Sequence, residues 1–138
     1  MIGSTEQDAF VRAMRWCSVT TLRKDGSPTS SVVFYAVEGD ELIFSTTADR
    51  LKARTLRHDP RIALTVLDEG QPYRFVSIEG TATIQDEGIV PGHVLVNRAM
   101  RGEPDWVPPE GFEEGLKAAG RVIIRVKPER ASGVVRRG

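Results

Sequence analysis

The stretch Thr29-Ser30-Ser31-Val32-Val33-Phe34-Tyr35-Ala36-Val37 leads through a turn at Glu38-Gly39-Asp40 into Glu41-Leu42-Ile43-Phe44-Ser45-Thr46-Thr47. It continues as Ala48-Asp49-Arg50-Leu51-Lys52-Ala53-Arg54-Thr55-Leu56-Arg57-His58 and stops at Asp59-Pro60. The first part alternates: Val33, Tyr35 and Val37 fall on one face, and Val32, Phe34 and Ala36 on the other. Both faces are apolar, so this strand is expected to lie deep or to face a partner surface. Glu41 to Ser45 reads as the next strand. The period then changes, and Ala48 to His58 reads as a helix capped by one of the preceding hydroxyls and ended by Asp59-Pro60.

Outward from this centre the chain is mostly strand. Upstream, Thr5 to Arg15 carries Phe10, Val11 and Met14 at helical spacing behind a Ser4/Thr5 cap. Ser18 to Arg23 is β-branched and runs into Lys24-Asp25-Gly26-Ser27-Pro28, whose Asp-Gly pair favours a hairpin. Downstream, Arg61 to Leu67 alternates, an Asp68–Pro72 loop follows, and Tyr73 to Gln85 is the longest strand candidate. Val76, Ile78, Ala82 and Ile84 share one of its faces. Gly80 interrupts it and predicts a bulge or bend. Ile89 to Met100 and Phe112 to Ala119 read as helices around a Pro-rich excursion from Gly102 to Pro109. Arg121 to Val126 reads as the last strand, ended by Pro128. Six strands with short turns and few helices predict an antiparallel barrel or sandwich.

Composition bounds the rest. A chain of 138 residues is one domain, long enough to bury a real core. Nineteen basic residues balance nineteen acidic ones, which argues against bulk binding to nucleic acid or an anionic membrane. No stretch approaches the ~20 apolar residues of a membrane span, and Met1 to Glu6 lacks the basic start and apolar run of a signal peptide. A cytoplasmic protein is the expectation. One Cys and two His assemble no zinc cluster. There is no Gly-x-Gly-x-x-Gly after a strand, no P-loop and no nucleophile elbow.

Chemistry concentrates at Ser45–Arg57. Three hydroxyl residues stand where a strand gives way to a helix, and a helix start offers free N–H groups and a positive dipole end. Arg50, Lys52, Arg54, Arg57 and Arg61 against the single acid Asp59 make this the main electrostatic feature of a neutral chain. Arg and Lys are what phosphate oxygens need. The alternative is a solvated basic helix face with an ordinary cap. Elsewhere, Cys17 reads as a buried structural thiol and His58 as a residue favoured by a helix C-terminus. His93 reads as partly buried structure and Trp16 as core. Trp106 reads as core, dimer contact or lid.

The succession of Asp-Gly turn, Val-Val-Phe-Tyr, Leu-Ile-Phe-Ser-Thr-Thr-x-x-Arg-x-Lys-x-Arg-x-Leu-Arg-x-Asp-Pro-Arg-Ile and Tyr-Arg-Phe-Val-x-Ile-Glu-Gly resembles the pyridoxamine-phosphate oxidase-like split β-barrel family. More narrowly it is similar to the actinobacterial branch that uses the deazaflavin coenzyme F-420. The similarity runs from about Ala9 to the closing Arg121–Arg130 segment. It implies a six-stranded, antiparallel, Greek-key split barrel that forms a homodimer, with a cofactor in each groove between subunits. Ser45, Thr46, Arg50 and Lys52 would hold the cofactor phosphate, and Arg54 or Arg57 would reach an acidic tail. Ser31, Val32, Val33 and Phe34 would lie along the tricyclic ring. Tyr73, Arg74 and Phe75 would approach from the dimer seam. The implied activity is hydride transfer from reduced coenzyme F-420 to a planar conjugated acceptor such as an enone, quinone or tetrapyrrole. An FMN-binding enzyme and a non-catalytic carrier are the alternatives. The Arg-rich strand and C-terminal phosphate residues of the FMN oxidases have no counterpart here, so pyridoxamine phosphate oxidation is not expected.

Overall fold

A computed structural model describes residues 1–71 and 73–135; Pro72, the end of the expected Asp68–Pro72 loop, lies outside the described residues. The chain opens with helix α1 (Thr5–Ala13), started by a reciprocal capping box. Ser4 Oγ accepts the Gln7 N–H at 3.1 Å, and Gln7 Oε1 accepts the Ser4 N–H at 2.9 Å. Strands β1 (Trp16–Leu22) and β2 (Pro28–Phe34) form the expected hairpin. Asp25 closes its turn by accepting both the N–H and the hydroxyl of Ser27.

The run Thr29–Val37 is not one strand. It changes partner at Tyr35, whose N–H still bonds the Arg15 carbonyl at 3.0 Å as the next rung of the β1–β2 register and whose hydroxyl donates to the Val11 carbonyl, while Ala36 already lies opposite Ile43. The chain resumes as β3 (Ala36–Glu38), followed by β4 (Glu41–Thr47). After helix α2 (Leu51–His58) come β5 (Arg61–Leu67) and β6 (Phe75–Gln85). Helices α3 (Val90–Arg101) and α4 (Phe112–Ala118) then precede β7 (Arg121–Val134). The strands form one antiparallel sheet in the order β2-β1-β5-β6-β7-β4-β3. The sheet therefore has seven strands rather than six, because the Tyr35 break makes two of one. Its two edges, β2 and β3, are consecutive in the chain, so the sheet curls toward closure and leaves a seam. That is a split barrel.

Nor does β2 lie deep. It is an edge strand with Val32 65% and Phe34 41% exposed. The interior of the curl holds Val19, Phe44, Leu64, Val76, Ile78 and Ile124, joined by Phe10 and Val11 of α1 and Leu56 of α2. A smaller cluster on the outer face packs Ile43 and Ile123 against Ile89 and Val96 beside α3.

Two further expectations need correction. The last strand does not stop at Pro128 but runs on to Val134. The expected break at Gly80 accounts for this: the β6–β7 register shifts between Glu79 and Gly80, and Gly80 faces Pro128. A bulge is where a strand tolerates a residue without an N–H. A Cβ on Gly80 would overlap the Lys127 carbonyl, so glycine is required for the approach of the two backbones. Helix α2 begins at Leu51, not Ala48, and Arg50 stands at its N-cap without a side-chain cap bond. Thr46 and Thr47 remain in the β4–β7 ladder, and the Thr47 hydroxyl donates to Asp49 at 2.7 Å instead. No helix among the described residues is long and apolar enough to cross a membrane.

Candidate functional site

A groove of about 230 Å³ occupies the seam where β2 passes β4 without pairing to it. Val32, Val33 and Phe34 of β2 form one wall, and Ser45 and Thr46 at the end of β4 form another. Arg50 and Lys52 enter from the start of α2, Val96 and Met100 from α3, and Arg121 from the start of β7. A second depression of about 340 Å³ shares Arg50 and Lys52 and continues past Ser31, Thr29 and Arg54. The surface then passes Leu51 and Arg54 to Arg23, Lys24 and His58. The structure thus brings together Ser31, Val32, Val33, Ser45, Thr46, Arg50, Lys52 and Arg54.

Three features distinguish this seam from the rest of the surface. Thr46 is 2% exposed, and its Oγ1 is the one buried side-chain polar atom without a hydrogen-bond partner among the described residues. An unpaired buried hydroxyl costs about 1–3 kcal/mol, which a ligand can recover. Among the described residues, Arg50, Lys52, Arg54 and Arg121 form no salt bridge with any carboxylate. The nearest acid, Asp49, is solvent-facing, and its carboxyl lies below the usual range because the Thr47 hydroxyl donates to it, with Arg50 and Arg54 adding smaller effects. Lys52 extends to β2, where its Nζ donates to Ser31 Oγ at 3.1 Å. Burial, and secondarily Arg50, push its ammonium below the ordinary lysine value. An anion in the seam would relieve both penalties.

Other expected residues stand elsewhere. Arg57 donates to the Ala48 carbonyl at 2.9 Å and so ties the strand–helix connection rather than facing the groove. Tyr73 is 84% exposed and lines no part of the seam. Arg74 pairs with Asp68 at 3.0 Å, donates to the Val135 carbonyl and lies over the Phe10 ring. Cys17 is buried, and burial pushes its thiol up to about 12, as suits a structural residue. Trp106 packs edge-on against Phe112 and lies beneath the Arg101 guanidinium at 4.8 Å, so it fastens the Pro-rich loop to α3. His58 is exposed at the last position of α2.

Sequence reasoning missed four contributors. Arg121 was legible in principle, since the β4–β7 ladder sets it opposite Thr47. Val96 and Met100 follow only from how α3 crosses the seam. His93, read as partly buried structure, is 2% exposed and reaches Ser45 Oγ with Nε2 at 2.7 Å. Among the described residues no group of acids, His and Cys could hold a metal ion. Another depression of about 320 Å³ lies around the β6 bulge, lined by Arg61, Arg130, Glu79 and Glu129 among others. It carries both charge signs and no orphaned polar atom, so it lacks the features of an anion site.

Comparison with known proteins agrees with this architecture. The chain is similar to a solved F420 reductase, with 26% identity over 91% of this chain and 94% of that one and a TM-score of 0.73. It is also similar to a conserved hypothetical protein of Mycobacterium tuberculosis, with 27% identity over 95% and 83% of the two chains and a TM-score of 0.77. An FAD-binding protein of Mesorhizobium loti, at 21% identity over 96% and 94% of the chains and a TM-score of 0.71, shares the fold. No curated protein sequence matches. Residues 4–135 match the family described as pyridoxamine 5′-phosphate oxidase, which takes in every described strand and the whole seam. The chain belongs to that family of split-barrel, flavin-type oxidoreductases.

Proposed function

We propose that the seam holds the phosphoryl group of a flavin-type cofactor, coenzyme F-420 in the first instance. The protein would then be an oxidoreductase that delivers hydride to a planar conjugated acceptor. The observation that carries this is the orphaned Thr46 hydroxyl beside Arg50, Lys52 and Arg121, none of them in a salt bridge among the described residues. The redox step is supplied by the cofactor when bound: a two-electron donor ring that needs no acid–base pair from the protein.

The chain's own residues divide the remaining work. Thr46 Oγ1, Arg50 and Lys52 present donors to phosphoryl oxygens. Ser31, Val32 and Val33 give a flat strand edge, polar in its backbone and apolar in its exposed valine, against which a tricyclic ring can lie. Met100 and Val96 keep water from the inner end. Arg54, with Arg23 and Lys24 beyond it, extends the positive surface outward from the phosphoryl position, which favours a cofactor with an anionic tail over FMN.

A homodimer belongs to the same proposal. Ligand pockets are commonly about 300–1,000 Å³, and the seam groove of about 230 Å³ falls short of that range. Val32 and Phe34 are exposed along an unpaired sheet edge beside it. A second subunit over that edge would deepen the groove and could bring its own Tyr73 and Arg74 toward the acceptor. Calorimetric titration with coenzyme F-420 and with FMN tests the reading. Sub-millimolar binding of F-420, tighter than FMN, is expected. Preference for FMN would make the protein an FMN enzyme, and failure to bind either would end the proposal. A carrier would bind reduced F-420 without accelerating its oxidation by any acceptor.

A further inference from the structure

His93 stands on α3 with its ring fixed at both nitrogens. Nδ1 lies 2.7 Å from the Ile89 carbonyl oxygen and Nε2 lies 2.7 Å from Ser45 Oγ. A carbonyl oxygen only accepts, so Nδ1 carries a hydrogen in either charge state. The state of Nε2 then decides what Ser45 offers the groove. When the ring is neutral, Ser45 spends its O–H on Nε2 and turns only lone pairs outward. When the ring is an imidazolium, Nε2–H donates to Oγ, and the Ser45 hydrogen is free for a ligand oxygen.

We propose that His93 is a positioning residue that sets the hydrogen-bond polarity of Ser45, so that an anion seated beside Ser45 binds with uptake of one proton from solvent onto Nε2. No bond between heavy atoms changes. The proposal rests on the seam being an anion site. In the free protein, burial above all and then Arg121 hold the ring below the usual histidine range, so the neutral form prevails, with the Ser45 hydroxyl donating to Nε2. The other charged groups around α3 fit this sense. Glu41 of β4 and Glu38 of β3 are both engaged by Arg125 of β7. Strand β2 carries no titratable side chain. On α4, Glu113 is paired with Lys117 and Glu114 is exposed. On α3 itself, Arg98 donates to the Trp106 carbonyl and Arg101 lies over the Trp106 ring. That leaves Arg121, Arg50 and Lys52 facing the groove, and the repulsion of an imidazolium by Arg121 is what a bound anion offsets.

Reciprocity fixes the consequence: the factor by which an anion raises the proton affinity of His93 is the factor by which protonation raises anion affinity. As pH falls from the bound to the free pKa of the ring, affinity should rise by as much as about tenfold per pH unit. The experiment is a pH titration of the two histidine side chains in the 15N-labelled full chain, with and without saturating sulfate, whose charge is constant over this range. Exposed His58 is the internal reference, and the Arg50 and Arg121 side-chain N–H signals report occupancy of the groove. The expected result is an upward shift of the His93 pKa by at least one unit while His58 stays fixed. Ser45→Ala should lose at least half of that shift and Ser45→Thr, which keeps the hydroxyl, should retain it. Movement of the arginine signals without movement of His93, or an undiminished shift in Ser45→Ala, overturns the coupling and leaves the anion site standing. If neither sulfate, coenzyme F-420 nor FMN moves the arginine signals, the anion site itself falls, and the coupling with it.

Discussion

Replacing Lys52 with Met separates binding from folding at the seam. Met keeps most of the unbranched stem that crosses from α2 toward β2 and removes only the ammonium. That ammonium has three donors, one of which is used on Ser31 Oγ, so two remain for a phosphoryl oxygen. A charge-assisted bond of this kind is worth about 1.5–3 kcal/mol, which corresponds to a roughly 10- to 150-fold loss of affinity for coenzyme F-420. Arg50 and Arg121 remain in the groove, so the lower part of that range is expected. Folding should respond in the opposite sense. The ammonium is held partly out of water beside Arg50 and forms no salt bridge among the described residues, so its removal relieves repulsion and desolvation. The melting temperature of the free protein should hold or rise. Calorimetric titration gives the first quantity and differential scanning calorimetry the second. A dissociation constant within twofold of wild type removes Lys52 from the site; a weakened affinity accompanied by an equal loss of stability shows that the effect runs through the fold.

Thr46→Val should raise the melting temperature of the free protein by about 2–6 °C, from roughly 1 kcal/mol recovered when an unpaired buried hydroxyl is removed, and should weaken cofactor binding; a drop in melting temperature would mean that Oγ1 already has a partner. Light scattering should give twice the 15.2 kDa chain mass, and Phe34→Glu should reduce it to the monomer; a wild-type monomer would sink the subunit-interface groove. Gly80→Ala should cost about 1–3 kcal/mol by overpacking against the Lys127 carbonyl, measured by urea unfolding, and no change would mean that the β6–β7 backbones separate freely. Burial raises the Cys17 thiol to about 12, so the native protein at pH 8 should leave an aromatic disulfide reagent unreacted while the urea-unfolded chain reacts with it fully; rapid reaction of the native protein would contradict the packing around β1.

Local periodicity made most elements legible, and what it missed depends on long-range partners. Arg61–Leu67 came out with its true bounds because its alternation is clean and turn residues flank it on both sides. The run through Tyr35 read as one strand because its side chains keep alternating. The break is a change of partner, from Trp16 opposite Phe34 to Ile43 opposite Ala36, which no window around Tyr35 contains. Pro128 read as a terminator because its tolerance depends on Gly80, a residue far away in sequence and opposite it in the ladder. The gathering of hydroxyls and cations at Ser45–Lys52 was legible in the sequence, but the local structure expected for it was partly wrong. The hydroxyls do not cap α2; they belong to β4, and one is left unpaired at the strand's end. Arg57 shared the pattern yet faces a backbone carbonyl, which spacing alone could not separate from Arg54.

The break at Tyr35 also explains why the site lies where it does. A nine-residue strand from Thr29 to Val37 could have paired along its length and closed the barrel, leaving no seam. Instead the run changes partner at Tyr35, held to α1 through its hydroxyl, so that β2 pairs with β1 on one edge of the sheet and β3 with β4 on the other. The backbone groups of β2 that would have bonded across the seam remain available to a ligand. The β4 hydroxyls and the first turn of α2 come to the same place because β4 ends beside that gap. Neutrality of the whole chain matters here too. With nineteen charges of each sign, most of the surface has no strong preference for anions, whereas the seam gathers Arg50, Lys52, Arg54 and Arg121 beside a single exposed acid. On the proposed function, a small phosphorylated molecule is favoured at one position, and a polyanion finds no continuous surface to coat.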